Sequence, residues 1–163
     1  MAEIGWCIRK NDGPCLVEPN ANLAGGYLIK AEDAIGSART EKVLEWKIAK
    51  SYYSLYFALY AVLQRIGIKC EIHACTLAFA GHFLKDYFTG DELTLIQDAM
   101  AARVDSQYYV NREVPDEQSR KILESAPAFI VKCKGIINRL DENKILDIRQ
   151  RFKAEAEKAK KGR

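Results

Sequence analysis

Lys47 to Lys69 reads KIAKSYYSLYFALYAVLQRIGIK, and the period of its apolar residues decides the fold. Taken back to Leu44, the series Leu44, Ile48, Tyr52, Leu55, Leu59, Val62 and Ile66 advances by 4, 4, 3, 4, 3 and 4 residues. That spacing returns to one side of an α-helix, whereas a strand would alternate. Tyr53, Tyr56, Phe57, Tyr60 and Leu63 fill much of the remaining circumference, so this helix must be covered on several sides. It is the expected centre of a bundle, beginning near Thr40-Glu41 and stopped by Gly67 just past its end.

On the N-terminal side, Asn20 or Asn22 can cap a helix carrying Leu23, Tyr27, Ala31, Ala34 and Ile35, with an interruption expected at Gly36-Ser37. Beyond Gly67 a third helix is expected from about Glu71 to Phe88. Thr89-Gly90-Asp91 then caps a fourth, which places Leu93, Ile96, Met100 and Val104 inward. Pro115 opens a fifth at its first turn, with Ile122, Ala126, Phe129, Ile130, Cys133, Ile136, Ile137 and Leu140 as its apolar face. No alternating run occurs between Asn20 and Leu140, and the connections are short. The expected fold is therefore all-α, an antiparallel up-and-down bundle of four to five core helices over residues 20–140. Residues 1–19, with Gly13-Pro14 and Pro19, read as an irregular arm or a short strand pair. Residues 141–163 read as a charged helical tail, in which the stripe thins to Ile145, Ile148 and Phe152.

With 163 residues, 48% of them hydrophobic and 29% charged, the chain is long enough for one core and too apolar for disorder. Its longest apolar run, Tyr52 to Leu63, is too short to cross a membrane, and Met1 to Gly13 is too charged for a secretory signal. The net charge of +3 conceals an asymmetry: residues 149–163 hold seven basic side chains against two acidic ones, leaving the remainder acidic. A basic tail alone does not establish nucleic-acid binding, because a solvated helix end has the same composition. Five cysteines are an odd number and cannot all pair within the chain. A cytoplasmic protein with reduced thiols is the expectation.

The candidate site begins at RVDSQYY, Arg103 to Tyr109. Arg103 follows Ile96 by seven residues, about 20° short of two turns, so a guanidinium projects from a face that should be buried. Such a charge needs a carboxylate, a carbonyl or a ligand. Asp105 lies two positions on, about 200° around the helix, so a partner for Arg103 must come from another helix, another subunit or a bound molecule. His73 shares a line with Leu77, Ala80 and Leu84 and faces inward, while His82 faces away. If the third and fourth helices run antiparallel, His73 approaches Arg103, a pair suited to phosphodiester chemistry or to a satisfied core. Cys70, His73 and Cys75 point in different directions from one helix, so no metal is expected. No cofactor loop or Ser-His-Asp set is present. Tyr52, Tyr53, Tyr56 and Tyr60 suit base stacking or, at helical spacing, core packing.

The order KIAKSYYSLYFALYAVLQRIGIK, EIHACTLAFAGHF, RVDSQYY and ESAPAFIVKCKGII resembles the HEPN superfamily of small helical proteins, over about Asn20 to Leu140. The resemblance implies an up-and-down bundle, a homodimer, and a partnership with a small nucleotidyltransferase in a toxin–antitoxin pair. Active relatives are metal-independent endoribonucleases with an arginine, four to six residues, then a histidine. Arg103 matches that arginine and Asp105 the polar residue after it, but Tyr108 or Tyr109 stands where the histidine belongs. A tyrosine, with an ordinary pKa of about 10, is a poor base at neutral pH but can donate to phosphate. The expected activity is nucleotide or RNA-phosphate binding in a groove formed by Arg103, Asp105, Tyr108, Tyr109, Tyr53 and His73. Arg103 and His73 are the candidates for any catalysis. The alternatives are an endoribonuclease with a reassigned acid–base group and a non-catalytic dimeric interaction domain.

Overall fold

The computed structural model describes residues 2–161. It is an all-α bundle, with helices α1 (Ile4–Ile8), α2 (Ala21–Thr40), α3 (Leu44–Ile66), α4 (His73–Phe83), α5 (Gly90–Tyr108), α6 (Asp116–Arg139) and α7 (Glu142–Lys161) among the described residues. Two strands of two residues, β1 (Cys15–Leu16) and β2 (Ile68–Lys69), pair antiparallel. No helix among the described residues is long and apolar enough to cross a membrane.

The α3 helix is the axis, as its circumference demands. Ile48, Tyr52, Leu55, Leu59, Val62 and Ile66 are buried, and so are Tyr56, Tyr60 and Leu63 on its flanks. It packs against α2, α5 and α6. The three-residue connection from α2 turns the chain back on itself, and Glu41 fixes the start of α3. Its carboxylate accepts from Lys50 Nζ (2.6 Å) and from the N–H groups of Lys42 (2.9 Å) and Val43 (3.0 Å). These bonds, the Lys50 one foremost, hold the Glu41 pKa down to about 2. At the other end Gly67 adopts φ 81°, which side chains rarely tolerate. A Cβ there would meet Arg149 Nη1 at 2.3 Å and Val17 O at 2.5 Å.

The α5 helix opens with a capping box: the Glu92 N–H donates to Thr89 Oγ1 (3.3 Å), and the Thr89 N–H donates to Glu92 Oε2 (2.8 Å). Lys132 of α6 reaches the same Glu92 at 2.6 Å, so the start of α5 lies beside the C-terminal half of α6 and the two run antiparallel. Burial alone would raise the Glu92 pKa, but the Lys132 and Thr89 bonds bring it below its ordinary value.

Several boundaries differ from expectation. The α2 helix continues through Gly36-Ser37 to Thr40, because its last turn buries Ile35 and Ala38. That packing offsets the ~1 kcal/mol that an interior glycine costs a helix. Leu23, expected inward, is 45% exposed, and Ala24 is the buried residue of that turn. The α4 helix stops at Phe83 rather than Phe88. Leu84 leaves helical geometry (φ −118°, ψ 21°), and the following turn keeps both Leu84 and Phe88 buried. The arm contains a helix, α1, and its strand pairs with β2. The last helix buries Ile145, Ile148 and Phe152, with the Phe152 ring 5.5 Å from Phe79 and 5.6 Å from Phe83. Arg149 Nη1 donates to the carbonyls of Val17 (2.7 Å) and Gly67 (2.9 Å), tying α7 to the arm and to the end of α3.

The reduced-thiol expectation is corrected at one pair. Cys7 of α1 and Cys75 of α4 form a disulfide, with Cα atoms 5.4 Å apart, while Cys15, Cys70 and Cys133 remain free. The arm folds back far enough to bring Cys7 onto the first turn of α4, where both cysteines are fully buried. This turn needs Gly13, whose added Cβ would lie 2.0 Å from the Cys7 carbonyl. A cross-link spanning 68 residues removes loop entropy from the unfolded chain worth about 4 kcal/mol. Dithiothreitol is therefore expected to lower the urea midpoint of the wild-type protein, and Cys75→Ser to lower it similarly with no further response to reductant. An unchanged wild-type midpoint would show that the bridge contributes nothing.

Candidate functional site

Arg103 sits in the last turns of α5, opposite the N-terminal half of α3, because the two helices cross antiparallel. Its guanidinium carbon lies 5.2 Å from the ring centroid of Tyr53, 5.9 Å from Tyr52 and 6.0 Å from Tyr108. Three aromatic faces thus surround a cation, an arrangement that attracts it without discharging its hydrogen-bond capacity. Its Nε is buried and has no hydrogen-bond partner, the one buried side-chain nitrogen or oxygen so placed among the described residues. The carboxylate nearest in sequence, Asp105, is turned the other way and accepts from Arg112 Nη1 at 2.5 Å.

His73 opens α4 and stacks on Tyr56, with ring centroids 3.9 Å apart and planes 18° apart. Its Nδ1 is hydrogen-bonded to the Tyr52 hydroxyl. Tyr52 therefore touches both halves of the site, through its hydroxyl to His73 and its ring face to Arg103. Burial depresses the His73 pKa below its ordinary value, and the nearby Arg103 charge adds to the effect, so the imidazole is neutral at pH 7. Burial likewise raises the Tyr52 and Tyr56 hydroxyls above the ordinary phenol range. Tyr52 is fully buried, and its hydroxyl has no other acceptor among the described residues. A buried donor must be satisfied, so the hydroxyl donates to Nδ1 and the ring hydrogen resides on Nε2. His73 thus presents an N–H donor.

The structure brings Arg103, His73, Tyr53 and Tyr108 together, all partly exposed except Tyr108, which is 67% exposed. It does not bring Asp105 or Tyr109 to Arg103. Tyr109 caps α5 and carries Arg112 over its ring at 3.7 Å, so Asp105, Tyr109 and Arg112 form a separate cluster. That cluster borders a surface cleft of about 970 Å³ between the start of α3 and the α5–α6 connection. Trp46, Tyr109, Val110 and Val114 line it, and Tyr108 is the residue it shares with the Arg103 site. The cleft adjoins the polar site but does not contain Arg103 or His73. Cys70, His73 and Cys75 do not converge: Cys75 is bridged to Cys7, Cys70 Sγ donates to the Ile72 carbonyl (3.4 Å), and His73 bonds Tyr52.

Tyr52 and Tyr56 pack in the core as their helical spacing implies, and both also hold His73, one by its hydroxyl and the other by its ring face. The available signal was their spacing: residues four apart share a face, and a fully buried tyrosine needs a partner for its hydroxyl.

The depressed His73 pKa has a consequence for stability. The unfolded chain takes up the proton near pH 6.5 and the folded chain only at lower pH, so between those values unfolding binds protons and stability falls as the solution is acidified. The melting temperature of the wild-type protein should decline from pH 7.5 to 5.5 more steeply than that of His73→Asn. Parallel profiles would show that His73 is not desolvated.

No family model matches the chain. Over 114 residues it is 25% identical to a UPF0332 protein of Archaeoglobus fulgidus, an alignment covering 68% of this chain and 91% of that protein. The relation is a distant one.

Proposed function

We propose that this protein is a HEPN-type bundle that binds a nucleotide or RNA phosphate at Arg103. The observation that carries the reading is the guanidinium with a buried, unpartnered Nε, held among Tyr52, Tyr53 and Tyr108 with no carboxylate beside it. A partly buried cation left in this state is poised for an anion, and a phosphate matches its fork of donors. His73, which shares Tyr52 with Arg103, and Tyr108, whose ring lies 6.0 Å from the guanidinium, are the candidates for further donors. The distant UPF0332 relative supports the superfamily, since that family is HEPN-like. The motif resemblance adds the working assembly, a homodimer acting as the toxin-like half of a pair with a small nucleotidyltransferase.

A second reading is a metal-independent endoribonuclease. What favours it is a neutral imidazole beside an arginine. In that chemistry a base takes the 2′-hydroxyl proton, the 2′-oxygen forms a bond to phosphorus, and the 5′-oxygen leaves with a proton from an acid. Arginine would hold the charge on the phosphorane. The hydrogen on His73 Nε2 opposes this role for it as base, and binding is the stronger reading.

The two readings separate in one set of measurements. Calorimetry should show wild type binding uridylyl-uridine, a diester that does not itself titrate near neutrality, and Arg103→Ala losing that binding with its melting temperature unchanged or raised. A stability loss in Arg103→Ala, with no binding by wild type, would favour the structural role. Affinity should also strengthen as the pH falls from 8 to 5.5, because a bound phosphate raises the His73 pKa, and His73→Asn should abolish the trend. RNA cleavage in excess chelator that disappears in His73→Asn would establish the endoribonuclease instead.

A further inference from the structure

Beside its buried tyrosines, α3 carries a second kind of aromatic residue. Tyr52, Tyr56 and Tyr60 are buried, but Tyr53 and Phe57, four residues apart, form an adjacent stripe that is only half-buried. Their rings are stacked, 5.4 Å between centroids and 23° between planes. The stripe continues across to α2, where Tyr27 lies 6.0 Å from Phe57 and is fixed edge-on against Tyr60 at 4.9 Å. Lys30, one turn along α2, places Nζ 5.6 Å from both the Tyr27 and the Phe57 rings. It is exposed, and among the described residues it forms no ion pair. Arg103 and Lys30 thus stand at opposite ends of one aromatic track, joined by steps of 5.2, 5.4 and 5.6 Å through Tyr53 and Phe57.

Core packing accounts for the buried stripe, not for a half-exposed one with an unpaired cation at each end. A polymer with a repeating anion and a flat base per unit has the complementary chemistry: bases lie on ring faces and phosphates meet the cations. A mononucleotide with its phosphate on Arg103 uses only the Tyr53 end. We infer that the Arg103 site extends along Tyr53 and Phe57 to a second subsite formed by Lys30 and Tyr27, and that it takes a single-stranded oligonucleotide of at least two nucleotides. The inference rests on the phosphate-site reading of Arg103 and adds to it the length of the ligand. Tyr53 and Phe57 are its stacking platform, and Lys30 receives the second phosphate.

Calorimetry at fixed salt with adenosine 5′-monophosphate and with 5′-phosphorylated diadenylate tests it, since the first probe reports the Arg103 end alone. Wild type should bind the dinucleotide about tenfold or more tightly than the mononucleotide, the gain that one stacked base provides. Phe57→Ala and Lys30→Glu should each erase that advantage while leaving mononucleotide affinity as it was. Lys30 is exposed, so Lys30→Glu keeps the test valid if Phe57→Ala fails to fold. Equal affinities of wild type for the two probes would overturn the extended site while leaving the phosphate site intact, as would wild-type dinucleotide affinity in Lys30→Glu. Failure of both probes to bind wild type would overturn the phosphate-site reading itself. A change in molecular mass in either variant, with nucleotide binding untouched, would overturn the inference by showing that the track is covered by a second copy of the chain.

Discussion

A guanidinium in the last turns of α5, placed against the rings of Tyr52, Tyr53 and Tyr108 and denied a carboxylate, is the interaction around which the site is organised. Desolvating a cation costs several kcal/mol when it is not paired, and aromatic faces return only about 0.5–2 kcal/mol of that. The balance has to be met by the stability of the surrounding bundle or by a ligand. The surroundings are arranged accordingly: α3 is covered on several sides, the antiparallel crossing brings the end of α5 to its N-terminal half, and Asp105 is drawn off by Arg112.

The same arrangement governs His73. Tyr52 stands between the two groups, with its ring toward the arginine and its hydroxyl on His73 Nδ1. Burial, with the nearby Arg103 charge adding to it, keeps the imidazole neutral, and the Tyr52 proton assigns its hydrogen to Nε2. The Arg103 guanidinium thus lies beside the Tyr108 ring and shares Tyr52 with His73. The proposed anion site rests on these groups. The disulfide from Cys7 to Cys75 anchors the arm two residues beyond His73, on the first turn of the helix that carries it.

Much of the bundle was legible from period alone. The α3 series from Ile48 onward, Gly67 at its end, Thr89 before α5 and the apolar face of α6 fall where side-chain spacing and cap chemistry put them, while Leu44, the first of the series, is exposed at the helix start. The inward direction of Arg103 and His73 was legible for the same reason, since direction on a helix depends only on residue count. Features that depend on distant contacts were not. Gly36-Ser37 reads as a break, but the burial of Ile35 and Ala38 in the last turn of α2 holds the helix together. Cys7 and Cys75 are 68 residues apart, and an odd cysteine count gives no reason to pair them. Asp105 finds Arg112 only because the chain leaves the helix at Tyr109 and turns back. Tyr52 looked like one core residue among several, and its hydroxyl partner lies on another helix.

The claim that Arg103 is held unpaired in order to receive an anion is tested most directly at its own Nε–H. In a 1H–15N spectrum recorded on the protein alone, the Arg103 Nε–H should resonate as a group without an acceptor. Titration with a phosphodiester should then move it downfield with saturation and slow its exchange with water. A resonance already downfield and protected in the free protein, and unmoved by the diester, would show that the guanidinium has a partner of its own and would contradict the account.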